Sequence, residues 1–159
     1  MQIMEPGEVL ARLAGLPIRI FEEGDVVLSE GSATGRLLFL QHGVVDVVMD
    51  GVELTRITEP GAVFGDVALL LGQPHTADVR AVQPSSFYVV EDAEAFLRAE
   101  PLVSLYIAMV LASRLYAVNR LLIDARSQAA EADQRRNLFV DMLDGIARAL
   151  HIRGHDGPG

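Results

Sequence analysis

A segment near the middle of the chain has residues whose types and spacing suit anion binding. In FGDVALLLGQPHTADVRA (residues 64–81), Gly65 precedes a short run of helical character. Backbone N–H groups at such a turn converge on an anion, which the positive end of the helix also favours. His75 lies ten residues further on, and a histidine attracts phosphate well only as the imidazolium. The Gly65 turn therefore indicates a candidate site for a small anionic ligand.

Other chemistries have little support in the sequence. The chain has no cysteine, which excludes disulfides, thiolate metal sites and iron–sulfur sensing. The other histidines, His42, His151 and His155, form no pair at metal-ligand spacing, and no serine lies in a G-x-S-x-G setting. We therefore predict a non-enzymatic protein that requires neither a metal nor another cofactor.

The elements that surround this segment predict a mainly β domain with helices at both ends. Between residues 18 and 90, short apolar runs alternate with glycines, which is typical of an antiparallel sandwich or roll. Asp50 and Gly51 lie between alternating apolar segments and predict a β-hairpin. A short amphipathic helix is predicted from Pro6 to about Ala14.

The C-terminal part of the chain is predicted to be helical. Asp92 is an N-cap candidate for a short helix, and Pro101 opens a longer helix to about Arg126. The apolar residues of this longer helix repeat at spacings of four, three, four and three: Leu111, Leu115, Val118, Leu122 and Ala125. Such spacing is a coiled-coil seam, so we expect a homodimer through residues 101–126, with intramolecular packing as the alternative.

The last part of the sequence predicts an extra helix. Residues 129–134, AAEADQ, are either a break or a polar continuation of the preceding helix. An apolar stripe follows, from Leu138 to Leu150. The predicted organisation is one domain over residues 1–126, an additional C-terminal helix over 127–152 and a disordered tail over 153–159.

Two stretches together resemble the cyclic-nucleotide-binding domain family. They are FEEGDVVLSEGSATGRLLFLQHGVVDVV and PGAVFGDVALLLGQPHTADVRA. The resemblance covers about residues 18–126 and includes five glycines at the family's turn positions, namely Gly24, Gly31, Gly43, Gly61 and Gly65. It implies a double-stranded β-roll similar to that of catabolite activators, followed by the long helix.

The resemblance also implies which residues form the ligand site. We call residues 65–76 the cassette, and the implied contacts within it are Gly65, Asp66, Val67, Ala68, His75 and Thr76. In the family, the residue after the glycine is usually a glutamate that bonds the ribose hydroxyl, and here it is Asp66. The residue after the cassette proline is usually an arginine that pairs with the cyclic phosphate, and here it is His75. Thr76 retains the hydroxyl often found next to that arginine.

These two departures predict a weakened site. Aspartate reaches about 1.5 Å less far than glutamate, and hydrogen bonds weaken badly beyond roughly 3.2 Å. Histidine cannot make the two-pronged pair of arginine with phosphate, and a lost charged hydrogen bond costs about 1.5 to 3 kcal/mol. Arg80 is too far along an extended strand to substitute, and we expect it to pair with Asp78.

Two interpretations of the cassette stay open. In one, it still binds a cyclic nucleotide, cyclic AMP or cyclic GMP, and the affinity should rise as the pH falls toward 6. In the other, the fold is a scaffold, ligand sensing is lost, and the protein is a regulatory or interaction module with a protein partner. A third class is a truncated Crp/Fnr-type transcriptional regulator.

Charge limits the classes of partner. The net charge of −9 repels nucleic-acid backbones, so direct DNA binding is not expected. Residues 102–113 form the longest charge-free apolar stretch of the C-terminal half, which is shorter than the roughly 20 residues of a membrane span. The N-terminus lacks the order of a signal peptide. We expect a cytoplasmic protein without a membrane segment.

Overall fold

The glycine-punctuated part of the chain forms two four-stranded antiparallel sheets in a computed structural model, which describes residues 4–153. In chain order the strands are β1 (Ile18–Phe21), β2 (Val26–Leu28), β3 (Leu37–His42), β4 (Val45–Met49), β5 (Val52–Ile57), β6 (Val63–Phe64), β7 (Asp78–Ala81) and β8 (Ser85–Val90). One sheet has the order β1-β8-β3-β6 and the other has the order β2-β7-β4-β5. The predicted antiparallel β-roll is confirmed.

Both sheets contribute side chains to one apolar core. Phe87 of β8 lies at its centre, with ring centroids 5.6 Å from Phe21 and 5.9 Å from Phe64 in edge-to-face geometry. Buried residues of both sheets complete the cluster: Leu28, Leu38, Leu40, Val45, Val79 and Val89. This burial removes apolar surface from water and holds the ends of β6 and β7 in place, and these strands flank the cassette.

The turn between β4 and β5 has the predicted hairpin geometry. Met49 is paired with Val52, so the loop consists of Asp50 and Gly51. Both have positive φ angles, 50° and 76°, as a two-residue type I′ turn requires. The hairpin prediction from this dipeptide is confirmed.

Three short helices accompany the sheets: α1 (Pro6–Leu13), α2 (Asp66–Leu71) and α3 (Ala93–Ala99). The first confirms the predicted N-terminal helix. At the start of α3, the carboxylate of Asp92 accepts a hydrogen bond from the Ala95 N–H at 3.2 Å, which confirms the predicted N-cap.

The long C-terminal helix is a single element, α4 (Pro101–Arg153), of 53 residues. The prediction of an extra, separate C-terminal helix over residues 127–152 is therefore wrong, and residues 129–134 are the polar continuation. The physical reason is that this stretch contains three alanines, a glutamate and a glutamine, all strong helix formers, and neither glycine nor proline. An ion pair one turn apart, Asp133 to Arg136 at 3.2 Å, supports the helix here.

The chain divides into two compact units, Met1–Val110 and Leu111–Gly159, whereas the sequence prediction ended the first domain at residue 126. In the first unit, the opening turns of α4 are buried at Val103, Tyr106 and Ile107. The Tyr106 hydroxyl donates to the Gly61 carbonyl at 2.9 Å. In the second unit, the described side chains from residue 112 onward are exposed. Of the predicted tail, residues 154–159 lie outside the described residues.

One helix in the described part of the chain is long and apolar enough to cross a membrane by length and composition. It is α4, over Pro101–Ile146. The core helix of a soluble protein passes the same test, and the first turns of α4 are core residues. The absence of a membrane segment therefore stays a prediction.

Candidate ligand-binding site

The cassette begins with a turn that only glycine fits. Gly65 follows β6 and caps α2 with a φ of 88°. A Cβ at this position would lie 2.6 Å from the carbonyl oxygen of Arg36, closer than real Cβ atoms approach any atom. The absence of a side chain thus allows the start of α2 to pack against the backbone that leads into β3.

The residues at the start of α2 are largely enclosed. Asp66 has 4% of its surface exposed and Ala68 has 8%, whereas Val67 between them is half-buried. Gly72 ends the helix in the left-handed conformation at φ 62°. The structure therefore confines the six-residue α2 between two glycines with positive φ angles.

His75 is tied to the loop that precedes β3. Its side chain is buried, and Nε2 lies 2.9 Å from the Thr34 hydroxyl. Its backbone N–H donates to the Ser32 carbonyl and its carbonyl accepts from the Gly31 N–H, both at 2.8 Å. Burial lowers the pKa of His75 below the ordinary 6.5, because the charged imidazolium loses its hydration. Burial thus favours the neutral imidazole over the imidazolium.

The end of the cassette leads directly into β7. Thr76 is exposed at the surface. Asp78 accepts hydrogen bonds from the Glu30 backbone N–H at 2.7 Å and from Arg80 Nη2 at 2.8 Å. These bonds, with the Glu30 contact first, lower the pKa of the Asp78 carboxyl. The predicted pairing of Asp78 with Arg80 is confirmed.

A cavity of about 260 Å³ lies between the cassette and the loop before β3. Three residues of the predicted site line it, namely Gly65, Ala68 and His75. Asp66, Val67 and Thr76 are not part of the lining. The structure thus brings the two ends of the cassette to one cavity.

The sequence analysis missed the other wall of this cavity. It is the loop Ala33, Thr34, Gly35 and Arg36. Arg36 is the charged residue among the described lining residues, and its guanidinium pairs with the Glu91 carboxylate. Nothing in local spacing indicates that residues 33–36 and 75 meet, because the contact depends on the pairing of β3 with β6 and β8.

The described residues contain no group of three or more histidine, aspartate or glutamate side chains that could hold a metal ion.

Comparison with known proteins agrees with this geometry. The sequence model of the family described as cyclic nucleotide-binding domain matches residues 18–99, more than half of the chain. The chain belongs to this family. Cyclic nucleotide-binding domains are regulatory rather than catalytic, and the matched range includes the whole β-roll and the cassette.

Curated relatives of this cyclic nucleotide-binding domain include ion channels. Potassium/sodium hyperpolarization-activated cyclic nucleotide-gated channel 3 of Homo sapiens is 40% identical over 77 residues, which are 48% of this chain and 10% of the channel. Channel 4 of Rattus norvegicus is 36% identical over 77 residues, or 6% of that channel. The chain thus spans only a small part of these relatives.

Solved structures show the same fold. The catabolite activator protein of Thermus thermophilus is similar with a TM-score of 0.62 and 27% identity, over 78% of this chain and 61% of that protein. PKAR CBD2 bound to Sp-2Cl-cAMPS is similar with a TM-score of 0.59 and 21% identity, over 74% of this chain and 80% of that one. The second likeness concerns the fold alone.

Proposed function

We propose that this protein is a non-enzymatic regulatory or interaction module in which cyclic-nucleotide binding is weakened or lost. The observation that carries the proposal is the state of His75. At the position where the family resemblance implies an arginine for the phosphate, the chain has a buried imidazole that is hydrogen-bonded to Thr34. Burial lowers the pKa of this ring and so favours its neutral form. A neutral imidazole gives a phosphate no opposite charge.

The expected loss of affinity follows from this substitution. A charged hydrogen bond contributes about 1.5 to 3 kcal/mol, so its loss weakens binding roughly ten- to a hundredfold. The Thr34 hydroxyl already contacts Nε2 of His75, so a ligand in the cavity would compete with Thr34 for this nitrogen. Arg36 does not replace the missing charge freely, since its guanidinium already pairs with Glu91.

Calorimetric titration of the purified chain with cyclic AMP and cyclic GMP at pH 7.5 tests the proposal. We expect no dissociation constant in the micromolar range or below for either nucleotide. Micromolar or tighter binding of one of them by the unmodified chain would contradict the proposal and would assign a sensor.

A double variant, Asp66→Glu with His75→Arg, tests whether the two departures from the family pattern limit nucleotide binding. It restores the two residues that the family resemblance implies, and we expect affinity for cyclic AMP to rise about ten- to a hundredfold. Thr58→Arg is the control, because it adds the same charge at an exposed position outside the cavity. Equal affinities of the double variant and the control would show that charge at residue 75 is not what limits binding.

A genuine cyclic-nucleotide sensor is the second candidate function. The cavity of about 260 Å³ and the Gly65 turn favour it, because both leave room for an anion beside backbone N–H groups. In this candidate, ligand binding repositions the C-terminal helix. A thermal-shift scan distinguishes the two, since ligand at about 100 times its dissociation constant adds roughly 2.7 kcal/mol of stability.

We further propose that the chain forms a homodimer through the helix of residues 101–126, with a further protein as a possible partner. The exposure of the seam residues Leu115, Val118 and Leu122, at 62%, 52% and 59%, supports this proposal over intramolecular packing. The lack of cysteine suits a cytoplasmic location, which is part of the same proposal.

A further inference from the structure

The exposed part of α4 carries two apolar blocks with a polar segment between them. The first block is residues 115–123 and the second is residues 138–146, and the middle segment, residues 124–137, contains six charged residues. The large apolar side chains of both blocks are between 47% and 69% exposed: Leu115, Tyr116, Val118, Leu121, Leu122, Ile123, Leu138, Phe139, Val140, Met142, Leu143 and Ile146. A surface this apolar indicates an interface.

Both blocks lie on one heptad seam because α4 is unbroken. The spacing of four and three residues that begins in the first block continues through Ala125, Ala129, Ala132 and Arg136 to the second block. There it contains Phe139, Leu143 and Ile146. The seam from residue 115 to residue 146 is about 47 Å long, at 1.5 Å per residue.

We propose that a second copy of α4 covers this seam in antiparallel orientation, so that the first block of each copy packs on the second block of the other. The proposal rests on the homodimer part of the proposed function and extends its interface from residues 101–126 to residue 146. In this register, Leu115 lies opposite Ile146 of the second copy, Val118 opposite Leu143, and Leu122 opposite Phe139. Each of these three layers pairs an apolar residue with an apolar residue.

The centre of the seam fits the same register. Ala129 lies opposite Ala132 of the second copy, and these small side chains let the two helices approach closely. Arg136, the charged residue of the seam, lies opposite Ala125, which leaves space for its long stem. Beside the seam, Leu121 lies next to Met142 of the second copy.

Charge complementarity selects the antiparallel over the parallel orientation. In an antiparallel coiled coil, the heptad positions e that flank the seam lie beside the e positions of the other copy. Arg126 and Asp133 are both e positions, and Arg126 of each copy lies beside Asp133 of the other. In a parallel dimer in register, Arg136 of one copy would lie against Arg136 of the other. The Arg135 side chains of both copies would lie beside this pair and add to the repulsion. No flanking pair in that arrangement joins opposite charges over residues 114–140.

A lipid bilayer is a poorer occupant of the two blocks. Each block has nine residues, about 14 Å of helix, whereas the hydrocarbon core is roughly 30 Å thick. Extending the first block toward Pro101 gives a long enough apolar stretch, but it would take Val103, Tyr106 and Ile107 out of the core of the first unit, where they are buried. A span through both blocks would bury the six charges of the middle segment. A second copy instead leaves five of these charges outside the seam, and the sixth, Arg136, lies opposite the small side chain of Ala125.

Cysteine cross-linking of the full chain tests the orientation, because the natural sequence has no cysteine. Ala125→Cys and Arg136→Cys are prepared as separate chains and oxidised alone or as a mixture. We expect a disulfide-linked dimer from the mixture and none from either chain alone, since two copies of residue 125 would be about 16 Å apart along the seam. Self-linking of Ala125→Cys would overturn the antiparallel arrangement.

Ser127→Cys is the matched control, because residue 127 lies on the opposite face of the helix from the seam. It should form no dimer in any mixture. Cross-links from this control at the same rate would show random collision and would equally overturn the proposal.

Charge exchange tests the flanking pair. Sedimentation equilibrium of Arg126→Asp should show a dimer dissociation constant about tenfold higher than that of the natural chain, because two pairs become repulsive. Arg126→Asp combined with Asp133→Arg should restore it. Ser127→Asp, which adds an acid one residue away on the outer face, should have little effect.

Two results would overturn the proposal outright: a monomer at 100 µM protein, or uptake by anionic phosphatidylserine vesicles with loss of the dimer. Neither result depends on the cassette. Calorimetry with cyclic nucleotides tests the weakened cassette, and cross-linking and sedimentation test the dimer. Either proposal can therefore be contradicted while the other stands.

Discussion

At the scale of single residues, His75 is where the cavity lining departs from the family pattern. The buried ring is held by the Thr34 hydroxyl and by backbone bonds to Gly31 and Ser32. From the sequence alone, protonation of His75 is expected to raise the affinity for nucleotide as the pH falls toward 6. Burial lowers the pKa of His75, so this gain moves to a lower pH.

The same shift predicts how stability depends on pH. The folded pKa is below the unfolded value near 6.5, so the unfolded chain binds the proton more readily. The stabilising contribution is fully present above pH 6.5 and is lost as the pH falls toward the folded pKa. The free energy of unfolding should decrease more between pH 7 and pH 5 in the natural chain than in His75→Gln, by at most about 1.4 kcal/mol per pH unit.

Urea unfolding at a series of pH values measures this difference. The remaining ionisable groups are the same in both proteins and cancel in the comparison. Parallel curves for the natural chain and His75→Gln would mean that His75 is protonated equally in the folded and unfolded states.

Gly65 allows a second prediction at this scale. Gly65→Ala should destabilise the fold by about 1 to 3 kcal/mol more than Gly72→Ala, since both have positive φ angles but only Gly65 has a backbone oxygen within 2.6 Å of the added Cβ. Chemical denaturation of both variants provides the measurement. Equal losses would show that the backbone at Arg36 moves away at little cost.

At the scale of elements, the continuity of α4 is the main feature. Ala, Glu and Gln in residues 129–134 keep the helix intact, and the apolar blocks consequently share one seam. Gly145 lies inside the helix without ending it, although glycine costs about 1 kcal/mol relative to alanine.

Spin labels at Ser113 and Asp141 test whether α4 is one helix. Both positions lie on the face opposite the seam, and 28 residues of helix separate them by about 42 Å. Pulsed electron spin resonance on labelled chain diluted into an excess of unlabelled chain should give a single narrow distance distribution near this value. A broad or much shorter distribution would indicate a break near residues 129–134.

At the scale of the whole molecule, the negative net charge predicts that the chain does not bind duplex DNA. With a net charge of −9, the chain should not be retained on duplex DNA at 150 mM salt, and lowering the salt should not change this. Fluorescence anisotropy of a labelled duplex, with a basic DNA-binding protein as the positive control, makes the measurement. Salt-sensitive retention would favour a transcriptional regulator.

Much of the fold could be predicted from the sequence because it depends on local signals. The Asp50-Gly51 turn, the Asp92 cap and the Gly65 turn each result from the backbone preferences of one or two residues. Alternating apolar runs indicate strands because side chains along a strand point to opposite faces. These signals determine the β-roll, and the cassette residues follow from their resemblance to a known family.

The tertiary structure decided what lies next to the cassette. Thr34 and Arg36 reach the cavity only because β3 pairs with β6 and β8, and a contact across 41 residues leaves no periodic trace in the sequence. The same contact buries His75 and lowers its pKa. In residues 129–134, the polar composition suggested a possible break, but helix propensity, which depends on backbone and side-chain entropy rather than polarity, favours continuation.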